Sequence, residues 1–192
     1  MASLSFEDRL GLLTDIEWAS RKNNRLKKLI QEARFDQPQA HIADVNYSTR
    51  RQLDQATIAT LSTCRYVEER HNVIIMGAAG SGKSYLACAF GMEACKQFFS
   101  VRFIRLPELL TDLAVPTLLI LDQWMLVALK ETEARDLLEI VHSRHKRAST
   151  IFCSQFAPAG WYTKIGEATL ADAILDRTPC RGLSCCRRLS CS

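Results

Sequence analysis

The chain has 192 residues, 47% hydrophobic and 24% charged, with a formal net charge of +4. That length suffices for one nucleotide-binding domain with a small appendage, and the balance is that of a soluble globular protein. No apolar run nears the ~20 residues of a membrane span. The start Met1-Ala2-Ser3-Leu4-Ser5-Phe6-Glu7-Asp8 turns acidic too soon for a secretory signal. Membrane and secreted classes are therefore excluded, and a cytoplasmic location is expected. The mild positive charge permits an acidic partner such as DNA without demanding one. Cys64, Cys88, Cys95 and Cys153 are scattered and read as small buried hydrophobes. Cys180, Cys185, Cys186 and Cys191 crowd the end without a C-x-x-C pair or a nearby histidine, so no zinc site is expected there.

Residues 5–34 predict a helix. Ser5 with Asp8 resembles a capping box, and Leu12, Ile16, Ala19, Leu26, Ile30 and Ala33 fall on one stripe interrupted by Asn23. Arg21, Lys22, Arg25, Lys27, Lys28 and Arg34 occupy the other faces against Glu32. Such a charge run is most simply a solvated face; it also fits a surface for DNA phosphates or an acidic partner. Pro38 and its Asp/Asn-bearing surroundings mark a connection over 35–46. A second helix is expected over 49–70, with Arg50 and Arg51 at its start, where the helix dipole disfavours them unless an anion is near.

A nucleotide-binding domain then begins. Gly77-Ala78-Ala79-Gly80-Ser81-Gly82-Lys83-Ser84 fits the phosphate-loop pattern G-x-x-x-x-G-K-[ST] in full. The apolar run 73–76 before it predicts a strand, and Tyr85 opens a helix to about residue 98. A strand turning through glycines into a helix aims backbone N–H groups and the helix dipole at one anion. Gly77 and Gly82 are the residues expected to need unusual backbone angles. Lys83 would reach the β- and γ-phosphates, and the Ser84 hydroxyl would ligate Mg²⁺. Further strands are expected at 100–105, 117–122 and 150–154, with a short helix over 107–114 and an amphipathic one over 131–147. In the latter, Ala134, Leu137, Leu138 and Val141 face inward, while His142 and His145 face solvent. Alternating strands and helices, with a continuously apolar strand at 117–122, argue for a three-layer α/β domain around a parallel sheet. The link between the strands at 100–105 and 117–122 is close to the shortest parallel crossover, about a dozen residues.

The other half of an ATP site follows. Asp122 ends an apolar strand, where P-loop enzymes place the acid that holds Mg²⁺. Gln123 stands where oligomeric ATPases carry an acid to activate water. Glutamine can orient that water but cannot take its proton, and a missing general base costs about 10²–10⁴ in rate. ATP binding with slow turnover is expected. Ser154 and Gln155, at the end of the next strand, are candidate γ-phosphate sensors. Arg177 follows an apolar helical patch and is either an arginine finger for a neighbouring subunit or the partner of Asp172 or Asp176.

At this point the chain resembles the IstB-like ATP-binding proteins, helper ATPases of bacterial insertion sequences related to the DnaC-type helicase loaders of the AAA+ group. The resemblance is carried by 4–13 with Glu17-Trp18, by 72–75, by the phosphate loop with 84–89, and by Leu118-Leu119-Ile120-Leu121-Asp122. It continues through Glu139-Ile140, 149–151, Ser154-Gln155 and 169–177. It implies a helical N-terminal domain (1–70) that contacts transposase or double-stranded DNA, and an AAA+ core (71–177) that assembles as a homo-oligomer on DNA with ATP and Mg²⁺. It implies roles for Gly77 to Tyr85 in binding nucleotide, for Lys83 and Ser84 at phosphate and metal, and for Asp122 at Mg²⁺. It further implies Ser154 or Gln155 as sensor and Arg177 as finger. Three departures stand out. The family pattern D-D-W-G is here Asp122-Gln123-Trp124-Met125. The stretch between Leu113 and Leu118 lacks a further helix. After Arg177 the run 178–192 looks like nothing in the family, as a shifted reading frame would produce, and is expected to be disordered, without the helical lid. The expected function is thus a transposition helper with impaired hydrolysis. A non-enzymatic remnant or a small P-loop kinase are the alternatives.

Overall fold

The computed structural model describes residues 5–47, 53–109, 116–178 and 180–184. Strands β1 (Asn72–Met76), β2 (Val101–Arg105), β3 (Leu118–Trp124), β4 (Ser149–Ser154) and β5 (Cys180–Ser184) form one sheet. Their order is β2-β3-β4-β1-β5, and each neighbouring pair is parallel. β4 is buried along its whole length and β3 at all but Gln123, and Leu118 to Leu121 accordingly read as an unbroken apolar run.

The two faces of the sheet bury separate clusters. Val73, Ile75, Leu118, Ile120, Ile151 and Cys153 face helix α4 (Lys83–Lys96), which buries Leu86 to Met92, Ala94 and Cys95. Ile74, Leu119, Leu121 and Phe152 face α6 (Glu131–Arg144), α7 (Pro158–Ile165) and α8 (Ala168–Asp176). Alternate residues of β1 and β3 therefore go to opposite layers, as the pleat requires. The three-layer α/β architecture is the one expected. Between β2 and β3 the described residues contribute only α5 (Leu106–Leu109).

The N-terminal region departs from expectation. Helix α1 (Phe6–Ala33) carries the capping box between Ser5 and Asp8, but the apolar stripe is buried only toward its end. Ala33 is fully buried and Leu26, Leu29 and Ile30 are partly so, whereas every residue from Ser5 to Arg25 is exposed. The single helix expected over 49–70 is broken: α2 (Gln55–Ser62) ends before Cys64, whose φ of 57° turns the chain into α3 (Arg65–Glu68). Arg50 and Arg51 lie outside the described residues. Ala33, Phe35, Ala40, Val45, Ile58 and Leu61 join the same core as α4 and the sheet. The expected boundary at residue 70 therefore does not separate one core from another; among the described residues, Ser5 to Asn24 project from the body as an exposed helix, and Arg25 lays its guanidinium over the Phe98 ring (4.9 Å). The expected tail boundary also moves. Cys180–Ser184, placed by sequence in a disordered tail, pair in parallel with β1 from Asn72↔Cys180 to Met76↔Ser184. Helix α7 is absent from the sequence reading. His145, expected to face solvent, is half-buried and its Nδ1 lies 3.1 Å from the Arg177 carbonyl oxygen.

Candidate nucleotide site

β1 ends at Met76 and the loop 77–82 leads into α4, whose first N–H groups have no partner within the helix. Positive φ falls at Gly80 (73°) and at the helix N-cap Gly82 (87°), not at Gly77. At Gly80 an added Cβ would meet nothing within 4 Å, so glycine there serves the backbone angle rather than space. Gly77 N–H donates to the Ser154 carbonyl (3.2 Å), tying the loop to the tip of β4. Lys83 Nζ donates to the carbonyls of Gly77 (2.9 Å) and Ala78 (2.8 Å), which folds the lysine back over its own loop. The Ser81 hydroxyl is buried and has no protein partner.

Asp122 lies on the α4 face of β3. The Ser84 hydroxyl stands 3.0 Å from each of its carboxylate oxygens, joining residues 38 apart in sequence. Asp122 is only 7% exposed, a location a carboxylate tolerates when paired or close to a cation. The lysine, the hydroxyl and the carboxylate thus lie at the carboxyl ends of β1 and β3, the two strands that flank β4, where open α/β sheets bind ligands. Tyr85, the next residue of α4, uses its hydroxyl to hold both backbone groups of His41 (3.3 and 3.4 Å), so the segment after α1 sits against the loop. Cys88, one turn on, is buried, and burial pushes its thiol up to about 11.

Gln123 occupies a bulge where the β3–β4 register shifts, with φ of 58°. It is exposed and forms one side of the wall of an apolar groove with Leu106, Leu126 and Val127. Ser154 and Gln155 point to different surroundings. The Ser154 hydroxyl, 1% exposed, donates to the Trp124 carbonyl (3.0 Å) and accepts from Phe156 N–H and from Trp161 Nε1–H (3.1 Å each). It is therefore committed to the interior, and Gln155 is the exposed member of the pair. Arg177 caps α8 beside Asn72, Arg144 and Thr150, at the amino ends of β1 and β4. A five-residue strand puts it about 16 Å from its own phosphate loop. Its guanidinium donates to His142 Nδ1 (3.1 Å) and the Ala173 carbonyl (2.8 Å), rather than pairing with Asp172 or Asp176.

Sequence reasoning missed Trp161 and Arg144. Pro158 at the first turn of α7 was the available signal for the helix that carries Trp161. Arg144 is 6% exposed, and burial pulls its pKa down to about 10. Its guanidinium donates to the Pro116 carbonyl (2.9 Å), the Ser149 carbonyl (2.6 Å) and the Thr150 hydroxyl (3.1 Å), which no local pattern announces.

The family profile described as IstB-like ATP binding protein matches residues 1–115 and 107–181. The chain belongs to this family. An insertion-sequence ATP-binding protein of Sinorhizobium fredii is 39% identical over 190 residues, covering 91% of this chain and 77% of that protein. One of Pseudomonas fluorescens is 38% identical over 169 residues, covering 80% and 73%. Among solved structures, DnaI superposes with a TM-score of 0.63 at 19% identity, covering 82% of this chain and 93% of that one, and shows the shared AAA+ fold. As an IstB-like protein this chain is an insertion-sequence-type ATP-binding protein, and the phosphate loop is where that family description meets the geometry. The family match runs to 181, past Arg177, where the resemblance read from sequence ends. No helix among the described residues is long and apolar enough to cross a membrane.

Proposed function

We propose that this IstB-like chain is an ATP-dependent helper of DNA transposition: it binds ATP with Mg²⁺, assembles on double-stranded DNA and assists a transposase. The observation that carries the nucleotide half is the contact of the Ser84 hydroxyl with both oxygens of Asp122 at 3.0 Å. A hydroxyl and a nearly buried carboxylate held together at a helix N-terminus fit a hydrated Mg²⁺. Bound there, Mg²⁺ would offset the charge of the β- and γ-phosphates. The unpartnered Ser81 hydroxyl and the N–H groups of Gly82 and Lys83 supply further donors. Lys83 would exchange its two loop carbonyls for phosphate oxygens. Gln123 can orient water without accepting its proton, so turnover is slow. Gln155 is the better-placed sensor, and Arg177, remote from its own loop, would serve a neighbouring subunit. Transposase assistance rests on the insertion-sequence relatives.

Equilibrium binding of a fluorescent ATP analogue, repeated with Lys83→Ala, tests the nucleotide half. Tight binding lost by at least tenfold in the variant is expected; equal binding by both overturns the reading. Hydrolysis is tested by comparing the natural chain with Gln123→Asp, for which a rise of about 10²-fold or more is expected. The DNA role predicts that affinity falls steeply with salt, since phosphate contacts release counterions. A flat salt response removes it.

A further inference from the structure

The amino ends of β1 and β4, at the end of the sheet away from the phosphate loop, carry cations that the nucleotide site does not use. Arg65 opens α3, Arg70 lies in the turn before β1, and Lys146 and Arg147 lie in the turn before β4; all four are exposed. β1 and β4 are paired neighbours, so the two turns lie side by side, and the Arg70 guanidinium donates to the Lys146 carbonyl (3.3 Å). The Ser149 hydroxyl donates to the Tyr66 carbonyl and the Thr150 N–H to Asn72 Oδ1, both at 2.9 Å, which ties the strand ends beneath them together. The N–H groups of Arg147 (2.9 Å) and Ala148 (3.1 Å) close the turn before β4 on the Arg144 carbonyl. The backbone of this platform is thus held firmly while its charged side chains reach into solvent.

We propose that this end of the sheet is the surface that meets the phosphate backbone of double-stranded DNA, an inference that rests on the DNA half of the proposed function. Among the described residues, none of the four cations makes an ion pair. Glu68 and Glu69 are the carboxylates nearby in sequence, and Glu69 lies against His71 Nδ1 (3.1 Å) instead. Arg70 and Lys146 have φ of 57° and 58°, angles that glycine or asparagine takes with less strain, yet both positions carry a charge. The basic face of α1, which the sequence offers for DNA, is more occupied. There Arg21 pairs with Glu17 (2.7 Å) and Lys28 with Glu32 (3.8 Å), while Lys22 and Arg25 lie over the rings of Trp18 (5.1 Å) and Phe98 (4.9 Å). Unpaired cations on a firm platform attract a polyanion without first giving up a partner. Tyr66, the aromatic residue of α3, is buried, so these turns offer no ring on which an unpaired base could stack. The chemistry is therefore that of backbone contact, which positions a duplex without reading its sequence.

The test is fluorescence anisotropy of a short labelled duplex with the full chain, ATP and Mg²⁺, between about 50 and 200 mM salt. Two triple variants are compared with the natural chain. Arg65→Gln/Lys146→Gln/Arg147→Gln strips the sheet end and spares the bond from Arg70; Lys22→Gln/Lys27→Gln/Lys28→Gln strips α1. Each phosphate contact contributes about 0.9 to the slope of log affinity against log salt. The sheet-end variant should bind at least about tenfold more weakly at low salt, with a slope shallower by up to about 2.7. Its circular dichroism and its affinity for an ATP analogue should not change. The single variant Arg147→Gln makes the same test with less disturbance and should lower the slope by about 0.9. A natural chain with a steep salt response and sheet-end variants of unchanged slope overturn the proposal and leave the DNA role standing. A larger loss in the α1 variant than in the sheet-end variant also overturns it. A natural chain whose binding ignores salt removes the DNA role itself, and this surface with it.

Discussion

Gly91 tests whether the region before residue 70 and the nucleotide-binding core fold as one unit. It lies in the middle of α4, where a Cβ would stand 2.5 Å from Phe35 Cε1 and 2.8 Å from Ile120 Cδ1. Two effects oppose each other in Gly91→Ala. Alanine improves the helix by about 1 kcal/mol, while overpacking a filled core costs about 1–3 kcal/mol. With Phe35 in place the clash wins, and a net loss of up to about 2 kcal/mol is expected. Phe35→Ala alone empties a buried site and costs about 3–5 kcal/mol. In that background the closest contact is gone and only the end of the Ile120 side chain must shift. Gly91→Ala should then be neutral or stabilising, by up to about 1 kcal/mol. The sign of one substitution thus reverses with the residue at position 35, a coupling of about 2 kcal/mol. Urea titration of the four proteins at one temperature measures it. Effects of Gly91→Ala that agree within about 0.5 kcal/mol in the two backgrounds would mean independent sites, and Phe35 would not rest on α4.

Alkaline conditions should unfold the chain early. Burial pushes the thiols of Cys64 and Cys95 to about 12 and that of Cys88 to about 11, from 9.0. Below pH 9 they are protonated in both states and their full stability is present. Above it the unfolded chain loses protons that the folded chain keeps, so stability falls by about 1.4 kcal/mol per pH unit for each thiol until its folded pKa is passed. Urea midpoints from pH 8 to about pH 10 should drop steeply, and Cys95→Ala should flatten the slope; a constant midpoint refutes it. Arg144→Met strands two buried carbonyls, at ~1–3 kcal/mol each. Its urea midpoint should fall accordingly while ATP affinity holds, because Arg144 lies at the far end of the sheet; a loss under about 1 kcal/mol would contradict the burial argument. Ser5→Ala removes the hydroxyl that accepts from Asp8 N–H at 3.1 Å. Amide exchange over residues 6–12 should quicken several-fold while the global unfolding midpoint stays put, since that end of α1 touches nothing in the body.

What the sequence made legible was whatever one local pattern decides. The phosphate loop, the apolar run Leu118 to Leu121 of β3 and the largely apolar α4 each carry their signal within a dozen residues. The approach of Ser84 to Asp122 followed from the loop-and-acid pattern, although the two are 38 residues apart. Features set by distant partners stayed hidden. The inward turn of the Ser154 hydroxyl depends on Trp161, in a helix the pattern did not reveal. The stripe on α1 is uniform in sequence, yet Ala33 is buried and Ile16 is 65% exposed, because only the end of the helix meets the sheet. Residues 178–184 looked foreign by composition, but a free edge of β1 offers a row of backbone donors and acceptors, which Cys180–Ser184 fill in parallel register.

At the nucleotide site, the local backbone makes Gln123→Asp the informative change. Gln123 and Met125 have φ of 58° and 54° and flank Trp124. These are the two positions where the chain departs from the D-D-W-G pattern of the family it resembles. Left-handed angles favour Asp over Gln and Gly over Met. Both departures therefore work against the local backbone, by on the order of 1 kcal/mol or more each. The bulge persists because Trp124 anchors it from between. Its ring packs edge-on against Phe152 (4.6 Å) and Trp161 (5.6 Å), and its carbonyl accepts the Ser154 hydroxyl at 3.0 Å. Met125 is fully buried and adds to that anchor. The position of residue 123 is thus fixed by its neighbours, not by its own side chain. Substituting Asp should introduce a carboxylate at the residue after Asp122 without moving the backbone and should relax its strain, so that the urea midpoint rises slightly or stays level. Faster hydrolysis with that midpoint would support the proposal that turnover is limited by the lack of a base at residue 123. A lower midpoint would show that Gln123 makes contacts the bulge depends on, and the account of the anchor would fail.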